Sequence, residues 1–301
     1  MPPGGTSSGE TRFEARALLD TSAFKALSRD QLASAQLKGW HLLTSPYCFW
    51  ELLSHLDEQQ PFAKAKGNLM KYRGVEIVDK PLDRLVARSK TSAEPRIWSS
   101  DLAYAALAAI DAAESFDDMK RSVIKDDAGN HRGPLGDCAA RARAALAEAE
   151  VKFQEVMGEV IEVLRSGQAG ASTLIEKHDA VTDMVSARGT PWSDTPDVRR
   201  EEGATEDQIL AHSYVYWAYV LLRAKDLADI GATTCARNDF EDGQLCAYVP
   251  LDEPLWVVSG DKKLLDVLIE TRNILVPVGL GSRAAFRPAK PDLLLEGRSS
   301  P

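Results

Sequence analysis

Short apolar runs that stop at a polar loop and lead into helical sequence occur at both ends of this 301-residue chain and are almost missing from its middle. Residues 15–19 run into Asp20-Thr21-Ser22, and residues 40–43 run into Thr44-Ser45-Pro46, the pattern of buried strands leaving a sheet. Residues 23–37, 47–56 and 62–72 carry helical patterning, and residues 75–78 suit a third strand. The alternation resumes past Cys235, with a helix over 240–248, a strand over 255–259 ending in Gly260-Asp261, a helix over 262–270 and a last strand over 274–278. Strands alternating with helices build a parallel sheet covered on both faces. The expectation is therefore an α/β chain, a three-layer α/β/α fold with a central, mostly parallel sheet.

Residues 82–235 follow a different pattern, rich in Ala and helical throughout. The clearest stretches are 99–116 and 137–165. In the second, Leu146, Ala149, Phe153, Val156, Val160 and Val163 alternate steps of three and four, a seam that suits packing against a partner helix. Residues 189–203 read as a polar loop, and 207–229 as a long helix with Leu210, Tyr214, Trp217 and Leu221 on one face. The predicted organisation is one α/β core made of residues 13–81 and 236–288, interrupted by a large all-helical insertion over 82–235. Residues 1–12, rich in Pro, Gly and Ser, are expected to be disordered, and residues 289–301 to form a loose tail.

Thirty-six Lys and Arg against forty-five Asp and Glu give a net charge of −9, the wrong sign for binding nucleic acid through bulk charge. Such a role needs a local patch. Residues 61–90 offer one: Lys64, Lys66, Lys71, Arg73, Lys80, Arg84, Arg88 and Lys90 against Glu76, Asp79 and Asp83. Lys64, Lys66, Lys71 and Arg73 are the RNA-binding candidates, although the same run suits a solvated helix face. Tyr214, Tyr216, Trp217 and Tyr219 could stack on bases, but their apolar surroundings favour core packing.

Cys48, Cys138, Cys235 and Cys246 have no zinc or disulfide spacing and read as buried thiols. The first residues lack the apolar core of a signal peptide, so a cytoplasmic location is expected. The most apolar stretch, residues 214–222, is shorter than the roughly eighteen residues of a membrane span. The five histidines show no ligand spacing, no nucleophile stands beside a base, and the Gly pairs lack the pattern of a phosphate loop, so neither a hydrolase triad nor a nucleotide cofactor is expected.

Ligands of open α/β sheets bind at the carboxyl ends of the strands. Asp20 and Asp261 end two of the predicted strands, Glu51 lies one turn into the helix after Pro46, and Asp239 and Asp242 are three apart at the start of another helix. Converging carboxylates raise one another's pKa, a cost that a divalent cation removes, and an all-oxygen set selects Mg²⁺ or Mn²⁺. A cation held this way serves phosphodiester hydrolysis. The competing explanation is that acidic residues make good helix caps, and Asp239 and Asp242 would suit that role.

Four segments carry a resemblance. Ala17-Leu18-Leu19-Asp20-Thr21-Ser22, Ser45-Pro46-Tyr47-Cys48-Phe49-Trp50-Glu51-Leu52, Asn238-Asp239-Phe240-Glu241-Asp242 and Trp256-Val257-Val258-Ser259-Gly260-Asp261-Lys262 resemble, in order and spacing, the four motifs of PIN-domain nucleases. The match covers both α/β ends and leaves out the helical middle. It implies a Mg²⁺- or Mn²⁺-dependent nuclease acting on RNA, with Asp20, Glu51, Asp242 and Asp261 as metal ligands or water-orienting groups and Asp239 as a further ligand candidate. Thr21, Ser22 and Ser259 would contact a metal-bound water or a phosphate; Ser259 stands where the family more often has Thr. One form of this reading is the toxin of a toxin–antitoxin pair, with an antitoxin protein as partner. The alternative is a catalytically idle PIN-like module that binds RNA or protein. Self-association is compatible with either.

Overall fold

A computed structural model describes residues 15–56, 58–79, 99–125, 131–167, 171–188 and 205–296. The expected disorder of residues 1–12, the loop at 189–203 and four of the basic residues, Lys80, Arg84, Arg88 and Lys90, lie outside the described residues. Strands β1 (Ala15–Leu19), β2 (Trp40–Thr44) and β3 (Glu76–Ile77) come from the first end of the chain. Strands β4 (Val123–Lys125) and β5 (His131–Pro134) lie in the middle, and β6 (Trp256–Val258) and β7 (Arg287–Ala289) at the far end. A five-stranded sheet has the order β3-β2-β1-β6-β7, and every pairing in it is parallel. The protein is thus α/β, and its two ends share one sheet.

Register explains the two cores. Leu18 on β1 pairs with Leu43 on β2 and Val257 on β6, and this row faces one hydrophobic cluster. The alternate residues Ala17, Leu19, Leu42 and Val258 face the other. On the second face lie α1 (Thr21–Ala26), α2 (Arg29–Leu37), α3 (Pro46–Ser54), α5 (Ser100–Ala112) and α6 (Phe116–Arg121), with α4 (Phe62–Leu69) packed against α5. On the first face lie α8 (Leu174–Arg188), α9 (Glu206–Asp229), α10 (Arg237–Cys246) and α11 (Lys262–Leu275). The longest helix, α7 (Leu135–Arg165), serves both: Leu135, Cys138 and Ala142 join the second cluster, and Leu146, Phe153, Met157, Val160 and Ile161 the first. At 1.5 Å per residue it is a strut of about 46 Å.

The expected insertion is therefore not an appendage. Its helices cover both faces of the sheet, and α9 is buried around most of its circumference, as befits a helix with apolar residues on every side. Tyr214, Tyr216, Trp217 and Tyr219 are core residues. Nor is the segment all helical, since β4 and β5 pair antiparallel within it. The seam on α7 packs against α9, with Val163 at its exposed end. No helix among the described residues is long and apolar enough to cross a membrane.

Three further expectations change. Residues 23–37 are two helices, because Ser28 starts α2 with a capping box in which it and Gln31 exchange hydrogen bonds. Residues 274–278 are not a strand: Ile274 and Leu275 continue the buried stripe Leu264, Val267, Leu268, Thr271 of α11, whose helical period a short apolar run conceals. The real last strand is β7 at the sheet edge, where Arg287 N donates to Leu255 at 2.8 Å and Ser259 N donates to Ala289 at 3.0 Å. The ladder uses the residues on either side of Pro288, so the missing N–H costs nothing at an edge. Of the expected loose tail, residues 289–296 hold a strand end and a short 3-10 turn with Leu294 fully buried, and residues 297–301 lie outside the described residues.

Gly243 lets α10 pack closely on α7, because a Cβ there would lie 2.8 Å from Phe153 Cε2 in the buried first core. Alanine gains about 1 kcal/mol of helix propensity but overpacks a filled site at about 1–3 kcal/mol. Gly243→Ala is expected to lower the chemical-denaturation midpoint; an unchanged or raised midpoint would contradict this packing.

Candidate active site

All five strands of the sheet run the same way, so the loops after β1, β2 and β6 leave from one edge. At that edge α1, α3 and α11 begin, capped by Asp20, Ser45 and Asp261. Pro46 at the first position of α3 pre-sets the helical φ. The three helix starts border a cleft of about 230 Å³ lined by Asp20, Thr21, Ser22, Lys25, Tyr47, Cys48, Glu51, Asn238, Glu241, Asp242, Leu245 and Asp261.

Asp20 is fixed on all sides. Its Oδ1 accepts from Ala23 N at 2.6 Å, and its Oδ2 accepts from Ser259 at 2.5 Å and Ser22 at 2.8 Å. Ser22 in turn accepts from Gly260 N at 2.7 Å, and Ser259 from Asp261 N at 2.8 Å. A Cβ on Gly260 would come within 3.1 Å of Ser22 Oγ, so glycine permits this approach. Thr21 donates to Glu51 Oε2 at 2.6 Å, joining α1 to α3. Asp261 accepts from Lys263 N at 2.7 Å and Leu264 N at 3.3 Å, both through Oδ1. Asp242, one turn into α10, accepts from Tyr219 at 3.5 Å.

Four of the five expected acids, Asp20, Glu51, Asp242 and Asp261, thus line one cleft. Asp239 does not. It is 1% exposed, and its Oδ1 accepts from Arg223 Nε at 3.0 Å and Lys263 Nζ at 3.3 Å while Oδ2 accepts from Ala236 N at 2.9 Å. Its carboxylate starts α10 and is neutralised by Arg223, which α9 supplies. Ser259 is also withdrawn from the cleft, fully buried with its hydroxyl spent on Asp20. Thr21 and Ser22 line the cleft, but their hydroxyls orient Glu51 and Asp20.

The basic candidates are mostly committed elsewhere. Lys66 donates to the carbonyls of Asp111 and Ala113 at the end of α5, Lys71 to Phe24 at the end of α1, and Arg73 pairs with Asp111 at 3.0 Å. Lys64 is exposed on α4, and none of the four lines the cleft. Cations at helix C-termini satisfy orphan carbonyls, so this part of the patch is structural. The sequence reading missed Lys25, which does line the cleft; its position four residues after Thr21, on the same helix face, was the available signal.

The carboxylates repel. Burial, reinforced by the charges of Asp261, Asp20, Asp239 and Glu241, pushes Asp242 up to about 8. Burial pushes Glu51 up to about 7 against the opposing Thr21 hydrogen bond, and raises Asp20 against its hydrogen bonds from Ser259, Ala23 and Ser22. The Cys48 thiol is pushed up to about 12, chiefly by burial, so it is no nucleophile at neutral pH. Among the described residues no group of three or more His, Cys, Asp or Glu side chains has the spacing of a bound ion, since the carboxylates are turned to hydroxyl and backbone donors. The chemistry of the donor set fits a hard divalent cation all the same: all oxygen, and with more negative charge than the cleft neutralises. No family model, curated protein or solved structure matches the chain.

Unfolded carboxylic acids titrate near 4, whereas Glu51 and Asp242 hold their protons to about 7 and about 8 in the folded chain. Between these limits the folded state binds more protons than the unfolded one, so these groups lower stability as pH rises through that window. Asp242→Asn is expected to melt higher than the parent at pH 8 in EDTA, with the difference shrinking towards pH 4. Equal melting temperatures at pH 8 would show that Asp242 is not strained by its neighbours.

Proposed function

We propose that this chain is a nuclease of PIN-like architecture that hydrolyses RNA phosphodiester bonds with Mg²⁺ or Mn²⁺ in the acidic cleft. The observation that carries the reading is the meeting of Asp20, Glu51, Asp242 and Asp261, from four separate elements, in one cleft at the carboxyl edge of the sheet. Acids used only as caps have no reason to share a cleft; Asp239, which is a cap, is kept apart and paired with Arg223. A toxin held in check by an antitoxin protein that covers the cleft is one biological form of the same proposal.

Asp20, Asp242 and Asp261 are the residues that would hold the cation. When bound, the ion offsets charge on the scissile phosphate and makes a nearby water more acidic. Glu51, tethered by Thr21, would take a proton from an attacking water as the bond from phosphorus to the ribose oxygen breaks, and that oxygen would take its proton from solvent. Ser22 and Ser259 keep Asp20 in one rotamer, so the constellation is set before substrate arrives.

End-labelled single-stranded RNA with Mn²⁺ tests the proposal. Asp20→Asn and Asp261→Asn are expected to slow cleavage by about 100-fold or more while retaining a cooperative melt, and EDTA to abolish it. Cleavage at the parental rate in both variants would overturn the assignment. RNA binding without cleavage by the parent chain would instead favour an idle scaffold.

A further inference from the structure

The C-terminal end of α3 gathers cations that the cleft chemistry does not use. Arg143 from α7 donates to the Ser54 carbonyl at 2.5 Å, and Arg237 at the start of α10 lies 2.5 Å through Nη2 from His55 Nε2. Because a guanidinium only donates, Nε2 of His55 is the acceptor and its ring is neutral. Lys25 from α1 lines the cleft next to Glu51, one turn of α3 from His55, and it is exposed with no ion pair among the described residues. Burial holds His55 below its ordinary value, and the charges of Arg237, Arg143 and Lys25 lower it further against that of Glu241. The acids set against them are Glu241, which accepts from Arg237 at 3.0 Å, and Glu150, which acts on Arg237 through charge. Glu51, on which Lys25 and Arg237 also act through charge, is a third acid, and three helices distant in sequence thus set three cations against these three acids beside the cleft.

On the reading that the cleft is a nuclease site, we infer that Lys25, Arg143 and Arg237 form a phosphate-binding rim, which holds the backbone of a single-stranded RNA next to the bond being cut. A chain of net charge −9 with an acidic cleft repels its own substrate, so backbone contacts beside the carboxylates have to supply both attraction and register. The bonds of Arg237 use Nε and Nη2 and that of Arg143 uses Nη2, so phosphate oxygens would meet their remaining N–H donors, and Lys25 is a mobile point charge at the mouth. The rim is a separate set from the patch that the sequence suggested within residues 61–90: Lys66, Lys71 and Arg73 are held at the ends of α5 and α1 and by Asp111, whereas Arg143 and Arg237 are held at the end of α3, one turn from Glu51.

The test is fluorescence-polarisation binding of a labelled single-stranded oligoribonucleotide to the full-length Asp20→Asn chain in EDTA, across a salt series, with Lys25→Gln, Arg143→Gln and Arg237→Gln added singly and together. Each substitution is expected to weaken binding several-fold and to reduce the slope of log K against log salt by about 0.7. Lys25→Arg should restore the slope. Arg16→Gln, which removes the same charge at the opposite edge of the sheet, should leave it unchanged. Parental slope and affinity in the triple variant, with cleavage intact in the otherwise unmodified chain, would overturn the rim and leave the nuclease reading standing. Absence of both RNA binding and cleavage in the parent chain would overturn both. Displacement of the RNA by a poly-glutamate of equal charge as effectively as by unlabelled RNA would also overturn it, in favour of an acidic protein segment.

Discussion

Ser259 gives its proton to Asp20 across 239 residues of sequence, and that hydrogen bond ties the exit of β6 to the exit of β1. Parallel pairing of Leu19 with Val258 brings the two strand ends level, and Ser22 and Gly260 complete the junction. Everything in the cleft hangs from this junction: Asp20 starts α1, Asp261 starts α11, and Thr21 reaches from α1 to Glu51 on α3. Parallel pairing of strands from the two ends requires the intervening chain to cross over, and here α5, α7 and α9 make up that crossover and cover both faces of the sheet.

The arrangement costs stability locally. Hydrogen bonds from Ser259, Ala23 and Ser22 favour the ionised form of Asp20, yet burial, with repulsion between neighbouring acids, outweighs such bonds at Asp20, Glu51 and Asp242, all of which are raised. Asp239 shows the contrasting solution. Arg223, 4% exposed, is buried with it, and breaking such a pair from one side costs about 3–5 kcal/mol. That pair anchors α10 to α9 and so aims Asp242 at the cleft. Asp239 is locked by a buried arginine, whereas Asp20, Glu51, Asp242 and Asp261 line one cleft with no buried cation beside them, which is why the cleft, and not the Asp239 pair, has the character of a site.

How much of this was legible in the sequence varied by element. β1, β2 and β6 announce themselves as apolar runs ending in Asp20, Thr44 and Ser259-Gly260, and the acids at their ends were visible by position alone. β7 was hidden because three residues centred on Pro288 carry no strand signal, and its place is fixed only by pairing to β6. The stretch 274–278 misled for the opposite reason: its apolar run belongs to a helix stripe that starts ten residues earlier. The middle of the chain is helical over most of its described residues, as expected, but sequence could not show that α9 is enclosed around most of its circumference, since that depends on which faces α7, α8 and α11 occupy. Separating Asp239 from Asp242 likewise needed the partner on α9, and the basic rim needed three helices far apart in sequence.

The central claim is that the cleft holds negative charge which a hard cation relieves. The most direct measurement is the melting temperature of the full chain at pH 8 with EDTA and with millimolar Mn²⁺, beside Asp242→Asn under the same conditions. Saturation to about 100 times the dissociation constant would add about 2.7 kcal/mol, a rise of several degrees for a chain of this size. That rise is expected in the parent, and its loss or marked reduction in the variant. A parent chain that melts at the same temperature with and without Mn²⁺ would contradict it.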